Sequence, residues 1–211
     1  MDAALRAGIA IFNAGGYHAA HDAWEDRWLG LESGTDDERF LHGLIQFTAA
    51  VHHAHDANWA GVHGLAESGA GYLGDLPADH RGVNVSAVRS YLEAVATDPE
   101  HVERVAGPRL EHRGRALRPP DLDHGAVAVA ARVLAEERDR FDAAVVERAV
   151  AFADAVVEAR HAGSAAGDDR FVTLLGDFVA DAAHRDLVYD RLEGHVERRV
   201  ARLEDPEGLF D

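Results

Sequence analysis

Cysteine is absent from this chain of 211 residues. That excludes a disulfide framework, a thiolate zinc site and a cysteine nucleophile. Lysine is absent too, so all 21 basic residues are arginine. No stretch approaches about 18 uncharged apolar residues, the length a membrane-spanning helix needs, and no membrane partner is expected. Strand-type alternation is scarce, and no phosphate-binding loop or cofactor motif occurs. The opening MDAALRAGIAIF has an acid at position 2 and no cationic leader. It does not read as a secretory signal, and a cytoplasmic location is expected. The length suffices to bury a hydrophobic core without metal or disulfide staples.

What is present in excess is acid: 38 Asp and Glu, for a net charge of −17. The carboxylates are spread along the chain and not gathered in a tail. Nucleic-acid affinity comes largely from cations on phosphates, so no nucleic-acid partner is expected. The nearest thing to a basic run, RLEHRGRALR (109–118), reads as a solvated loop. At molar salt the Debye length falls to roughly 3 Å, which screens the self-repulsion and lets carboxylates keep the surface hydrated. The composition resembles that of proteins from salt-loving archaea. A halophilic chain should show an unfolding temperature that rises with KCl.

Apolar spacing predicts helices at about 2–13, 17–29, 37–56, 58–74 and 85–97, with Asn58 as an N-cap. Residues 98–124 hold four of the six prolines. They read as a linker, or as a short hairpin turning at Arg113-Gly114. Helical pattern returns at about 125–139, 141–161, 168–182 and 184–204. The fold class is all-α: a multi-helix bundle of eight or nine helices built from antiparallel helical hairpins. The stretches opening at Tyr17 and Trp59 echo one another, as a twice-repeated hairpin would. Small-residue stripes and long C-terminal helices suit a homodimer.

One face of the 17–29 helix reads Tyr17, His21, Trp24, Glu25, Trp28. The next helix offers a narrow stripe of Gly43, Gln46, Ala50, His53 and Ala57. A short loop makes the two helices antiparallel neighbours, so facing positions share an index sum. His21 with His53 and Trp28 with Gln46 both sum to 74, and Glu25 with Ala50 to 75. This register predicts one polar cluster of His21, Asp22, Glu25, Trp28, Gln46, His53 and Asn58. Three readings are open. The cluster is a buried hydrogen-bond network, in which Trp28 donates to Gln46 and His21 pairs with Glu25 or His53. Or His21, Glu25 and His53 ligate a divalent metal, for which two imidazoles and a carboxylate suit Zn, Fe or Mn. Or the cluster is a general acid–base pair.

The segments FNAGGYHAAHDAWEDRWLG and FLHGLIQFTAAVHHAHDANWAG resemble domain-of-unknown-function family 309 over about residues 8–97. The matching positions are Phe12, Asn13, His21, Glu25, Trp28, Gly43, Leu44, Ile45, Gln46, His53 and Asn58. At Asp22 the family has Glu, a carboxylate longer by one methylene. The resemblance implies an all-helical fold and carries no assigned activity. The expected organisation is a family-like helical domain over 1–97, the Pro/Gly-rich stretch over 98–124, and a C-terminal helical segment over 125–211 packing on the first. No cofactor is demanded beyond the divalent metal of the second reading. The function expected is a non-catalytic helical scaffold or interaction protein. The alternative is a metal-dependent, hydrolase-like enzyme using His21, Glu25 and His53.

Overall fold

The structure, a computed structural model, describes residues 1–164 and 169–204. The chain divides between Leu122 and Asp123 into two compact units. The first begins with five helices that follow one another closely: α1 (Asp2–Asn13), α2 (Tyr17–Leu29), α3 (Asp36–His55), α4 (Trp59–Leu73) and α5 (Val85–Thr97). Each packs against the next in the chain. Apolar stripes drive the packing. In α1, Leu5, Ile9 and Phe12 fall at i, i+4 and i+7 and are buried. Two contacts depend on glycine. A Cβ on Gly8 would lie 2.1 Å from Nε1 of the fully buried Trp24, so α2 closes on α1 only because Gly8 has no side chain. A Cβ on Gly43 would lie 2.5 Å from Leu73, so α3 and α4 approach closely by the same device. Trp24 meets its remaining polar need by donating to the Leu5 carbonyl at 3.3 Å.

Helix starts follow local chemistry. Thr35 caps α3 by accepting from the Glu38 amide, and Asn58 caps α4 by accepting from that of Gly61. The Pro/Gly-rich stretch clusters with the first unit up to Leu122. It holds a four-residue helix, α6 (His101–Arg104), and the hairpin β1 (Glu111–His112) with β2 (Arg115–Ala116). Arg113 and Gly114 both have positive φ, as a two-residue hairpin turn requires. With α6, the described residues hold ten α-helices, one more than the periodicity predicts. Four residues are too few to show a period.

Two asparagines fasten this hairpin to the helices. Asn13 Nδ2 donates to the carbonyls of Leu110 and Leu117 at 2.8 and 2.9 Å, while its Oδ1 accepts from the Leu110 amide at 2.9 Å. Asn84 does the same from the start of α5, donating to Arg109 and accepting from Glu111. Buried backbone groups that a short strand pair leaves open are thus satisfied by side chains.

The second unit has four helices: α7 (His124–Glu136), α8 (Ala143–His161), α9 (Arg170–Ala180) and α10 (Arg185–Glu204). Their bounds fall within three residues of those predicted; residue 168, the expected start of α9, lies outside the described residues. α9 packs on the other three. It buries Phe171, Leu174, Leu175, Phe178 and Val179, an i, i+3, i+4, i+7, i+8 stripe. Phe141, Phe178 and Tyr189 form an aromatic core, with Phe141 5.2 Å from Phe178 and 5.0 Å from Tyr189. Asp123 and Asp142 cap α7 and α8. Among the described residues no helix is long and apolar enough to cross a membrane.

Candidate functional site

The α2 helix carries a polar row at i, i+3, i+4 and i+7: His18, His21, Asp22 and Glu25. Such residues share one face and can reach one another. His21 Nδ1 lies 2.9 Å from Asp22 Oδ1 and 4.0 Å from Glu25 Oε2, and His18 Nδ1 lies 3.3 Å from Asp22 Oδ2. The ligand atoms of His21, Asp22 and Glu25 all fall within 4.8 Å of one another. The side chains are 27, 30 and 44 % exposed respectively, half-open to solvent. Across the helix pair, the His18 ring is 6.0 Å from that of His52 on α3.

The other expected members lie elsewhere, and the expected register is corrected. Trp28 does not meet Gln46. Its Nε1 donates to Glu38 Oε1 at 2.8 Å, and its ring packs 4.5 Å from that of His42. His42 is stacked in turn on Tyr72 of α4, with centroids 3.8 Å apart. Trp28 opposite His42 and His18 opposite His52 both sum to 70, and Tyr17 opposite His55 to 72. The helices are therefore displaced by up to about one turn from the sum of 74. The physical reason is that the small stripe of α3 serves α4 and not α2. Gly43 admits Leu73, and Gln46 packs where a Cβ on Gly69 would touch it at 3.1 Å. His53 Nδ1 accepts from Asn58 Nδ2 at 2.8 Å, where α4 begins. His53 thus stands apart from His21 and Glu25, and the expected three-ligand set of His21, Glu25 and His53 is not assembled. Nor is the cluster buried: His21, Asp22, Glu25, Trp28, Gln46 and His53 are half-exposed, and Asn58 is exposed.

Glu38, His42 and Tyr72 are residues that the reading of the sequence missed. Glu38 and His42 sit at i, i+4 on the face of α3 toward α2, a spacing that a second stripe search of α3 would have found. The Trp28 hydrogen bond holds the Glu38 carboxyl below the usual range, aided by the Gly34 amide and opposed by burial. At the start of α2 lies a mostly apolar cavity of about 330 Å³, lined by Tyr17, His55, Tyr91 and Gly107 among others. Burial, with a smaller contribution from Tyr17, pushes the Tyr91 hydroxyl up to about 12, and it donates to the Val105 carbonyl at 3.3 Å.

The family match to known proteins falls within the first unit. A family described as "Domain of unknown function (DUF309)" matches residues 5–65, from α1 into α4. A curated relative, an uncharacterized protein of Aquifex aeolicus (strain VF5), is 27 % identical over 84 residues. The aligned part is 40 % of this chain and 25 % of the relative, so the chain spans about a quarter of the length of the curated protein it matches. Every position that carries the family resemblance, from Phe12 to Asn58, lies inside the matched segment.

Proposed function

We propose that the protein is a non-catalytic helical scaffold whose first unit binds a divalent transition-metal ion through His21, Asp22 and Glu25. The observation that carries the reading is their mutual reach: three ligand atoms of one helix face within 4.8 Å. Around a tetrahedral zinc ion, ligand atoms about 2.1 Å from the metal are roughly 3.4 Å apart. The distances of 2.9 and 4.0 Å from His21 Nδ1 bracket that value. The other motif residues already have structural duties. Asn13 fastens the hairpin, Trp28 ties α2 to Glu38, Gly43 admits Leu73 and Asn58 caps α4. Among the described residues, the hydrogen bonds and ion pairs given for His21, Asp22 and Glu25 are with one another and with His18 of the same helix. In the ion-free arrangement the Nδ1–H of His21 donates to Asp22. To ligate an ion through Nδ1 the ring must carry its hydrogen on Nε2 instead, so binding replaces the His21–Asp22 hydrogen bond with two metal contacts.

The test is calorimetric titration of the full chain with Zn²⁺ and Mn²⁺ near pH 7.5, after treatment with chelator. One ion per chain is expected, with binding lost in Glu25→Gln. Absence of saturable binding, or binding that survives both His21→Ala and Glu25→Gln, would refute the site.

A further inference from the structure

The second unit carries a local inversion of the chain's charge. Many arginines of this protein meet a carboxylate, among them Arg39, Arg104, Arg132, Arg140 and Arg160. That is expected where 38 acids surround 21 arginines. Arg198, Arg199 and Arg202 differ. They follow one another along the last turns of α10, and none of them forms an ion pair with any of the described residues. Together with Arg170 at the start of α9 they line a cavity of about 100 Å³. Among the described residues no carboxylate lines it.

The cavity also has a built floor. Phe152 of α8 and Phe171 of α9 pack with ring centroids 5.1 Å apart, and the Arg199 guanidinium lies 5.7 Å over the Phe152 ring. At the wall, His195 Nδ1 accepts from Arg198 Nη2 at 2.8 Å and from Arg170 Nη1 at 3.2 Å. Guanidinium groups only donate, so this nitrogen accepts both hydrogen bonds. One imidazole thereby holds two cations side by side. Arginine forks match the geometry of phosphate oxygens and make the stronger, charge-assisted class of hydrogen bond.

We propose that this cavity is a binding site for a small phosphate monoester. Its oxyanion lies among Arg198, Arg199, Arg202 and Arg170, and its organic group rests on Phe152 and Phe171. The volume admits one phosphate head and not a polymer. The cations ring one opening and form no stripe such as a nucleic-acid backbone would follow. The site lies wholly within the second unit and does not depend on the metal reading of the first.

The test is calorimetric titration of the full chain with inorganic phosphate and with phenyl phosphate, at fixed ionic strength held with KCl. Both should bind at one per chain, phenyl phosphate the more tightly. Arg198→Gln and Arg202→Gln replace exposed side chains, and each should weaken both ligands by about tenfold, the effect of one lost charged hydrogen bond. Phe152→Ala should abolish the preference for phenyl phosphate and leave inorganic phosphate binding in place. If neither ligand binds at millimolar concentration, the proposal fails. It fails equally if the two arginine variants bind as the wild type does. Affinity for oligonucleotides that grows with their length and exceeds that for phenyl phosphate would replace it with a polymer surface.

Discussion

The two ends of α2 put their polar side chains to different uses. At the C-terminal end Trp28 reaches out of its own helix, donating to Glu38 and packing on His42, which is stacked on Tyr72. Three helices are joined through this run of rings, Trp28 to His42 and His42 to Tyr72. Nearer the N-terminus, His21, Asp22 and Glu25 turn to one another along a single helix. Groups whose partners lie on another element fix a fold. Groups whose partners are helix-mates fix nothing beyond their own helix, and surface pairs of that kind are worth little in stability. One sequence motif therefore divides into a structural half and a half left for binding.

The comparison is broken most easily at Trp28. Trp28→Ala removes a large ring from between α2 and α3 and strips Glu38 of its donor. A loss of about 3 kcal/mol is expected from chemical denaturation, toward the low end for a tryptophan because the ring is half-exposed. A loss below about 1 kcal/mol would mean that the Trp28–Glu38 link does not hold the helices, and the structural half would lose its basis. A smaller effect is expected from Glu38→Gln. The neutral amide still accepts from Trp28, so the cost at pH 7 should be about 1 kcal/mol, the difference between a charged and a neutral hydrogen bond. Because the fold holds the Glu38 carboxyl below its ordinary value, its contribution is present above the unfolded pKa, near 4.3. It is lost as the pH falls through the lower folded value. The gap between wild type and variant should therefore close in urea titrations taken from pH 7 down to pH 3. Some acid sensitivity will remain, since Arg81 holds the Asp37 carboxyl down as well. A gap that widens on acidification would reverse the sign and overturn the assignment.

How much of this was legible in the sequence follows from the range of each interaction. Apart from the four-residue α6, the helices of both units were legible, because apolar period and capping are local: Asn58, read as a cap, accepts from the Gly61 amide three residues on. The two-residue turn at Arg113-Gly114 was legible for the same reason. The latch on that hairpin was not, because Asn13 and Leu110 are 97 residues apart and no periodicity joins them. The candidate site was half legible. His21, Asp22 and Glu25 come together because i, i+1 and i+4 on a helix fix their separation. His53 does not join them, because pairing it with His21 required knowing which neighbour the small stripe of α3 faces. Small residues report that some helix comes close and not which one; here α4 claims Gly43 and Gln46. The arginines of α10 were visible as residues, but that they converge with Arg170 depends on how α9 and α10 pack.

The smallest expected effect is the sharpest test of the comparison. If the row on α2 is left over from folding, its removal should hardly be felt in the absence of metal. His21→Ala deletes a half-exposed ring whose polar contacts are with Asp22 and Glu25 on the same helix. Helix pairs at i, i+4 contribute about 0.3–0.5 kcal/mol, and alanine recovers some of that through its higher helix propensity. The net change in unfolding free energy, measured in chelator, should stay below about 0.5 kcal/mol. Zinc should then separate the two proteins. A ligand that binds only the folded state stabilises it by about 2.7 kcal/mol at a hundred times its dissociation constant. Wild type should gain on that scale, while His21→Ala should not. A loss of 2 kcal/mol or more for His21→Ala in chelator would place this histidine beside Trp28 among the residues that hold the fold. The two ends of α2 would then be one structural network, and the division drawn between them would be wrong.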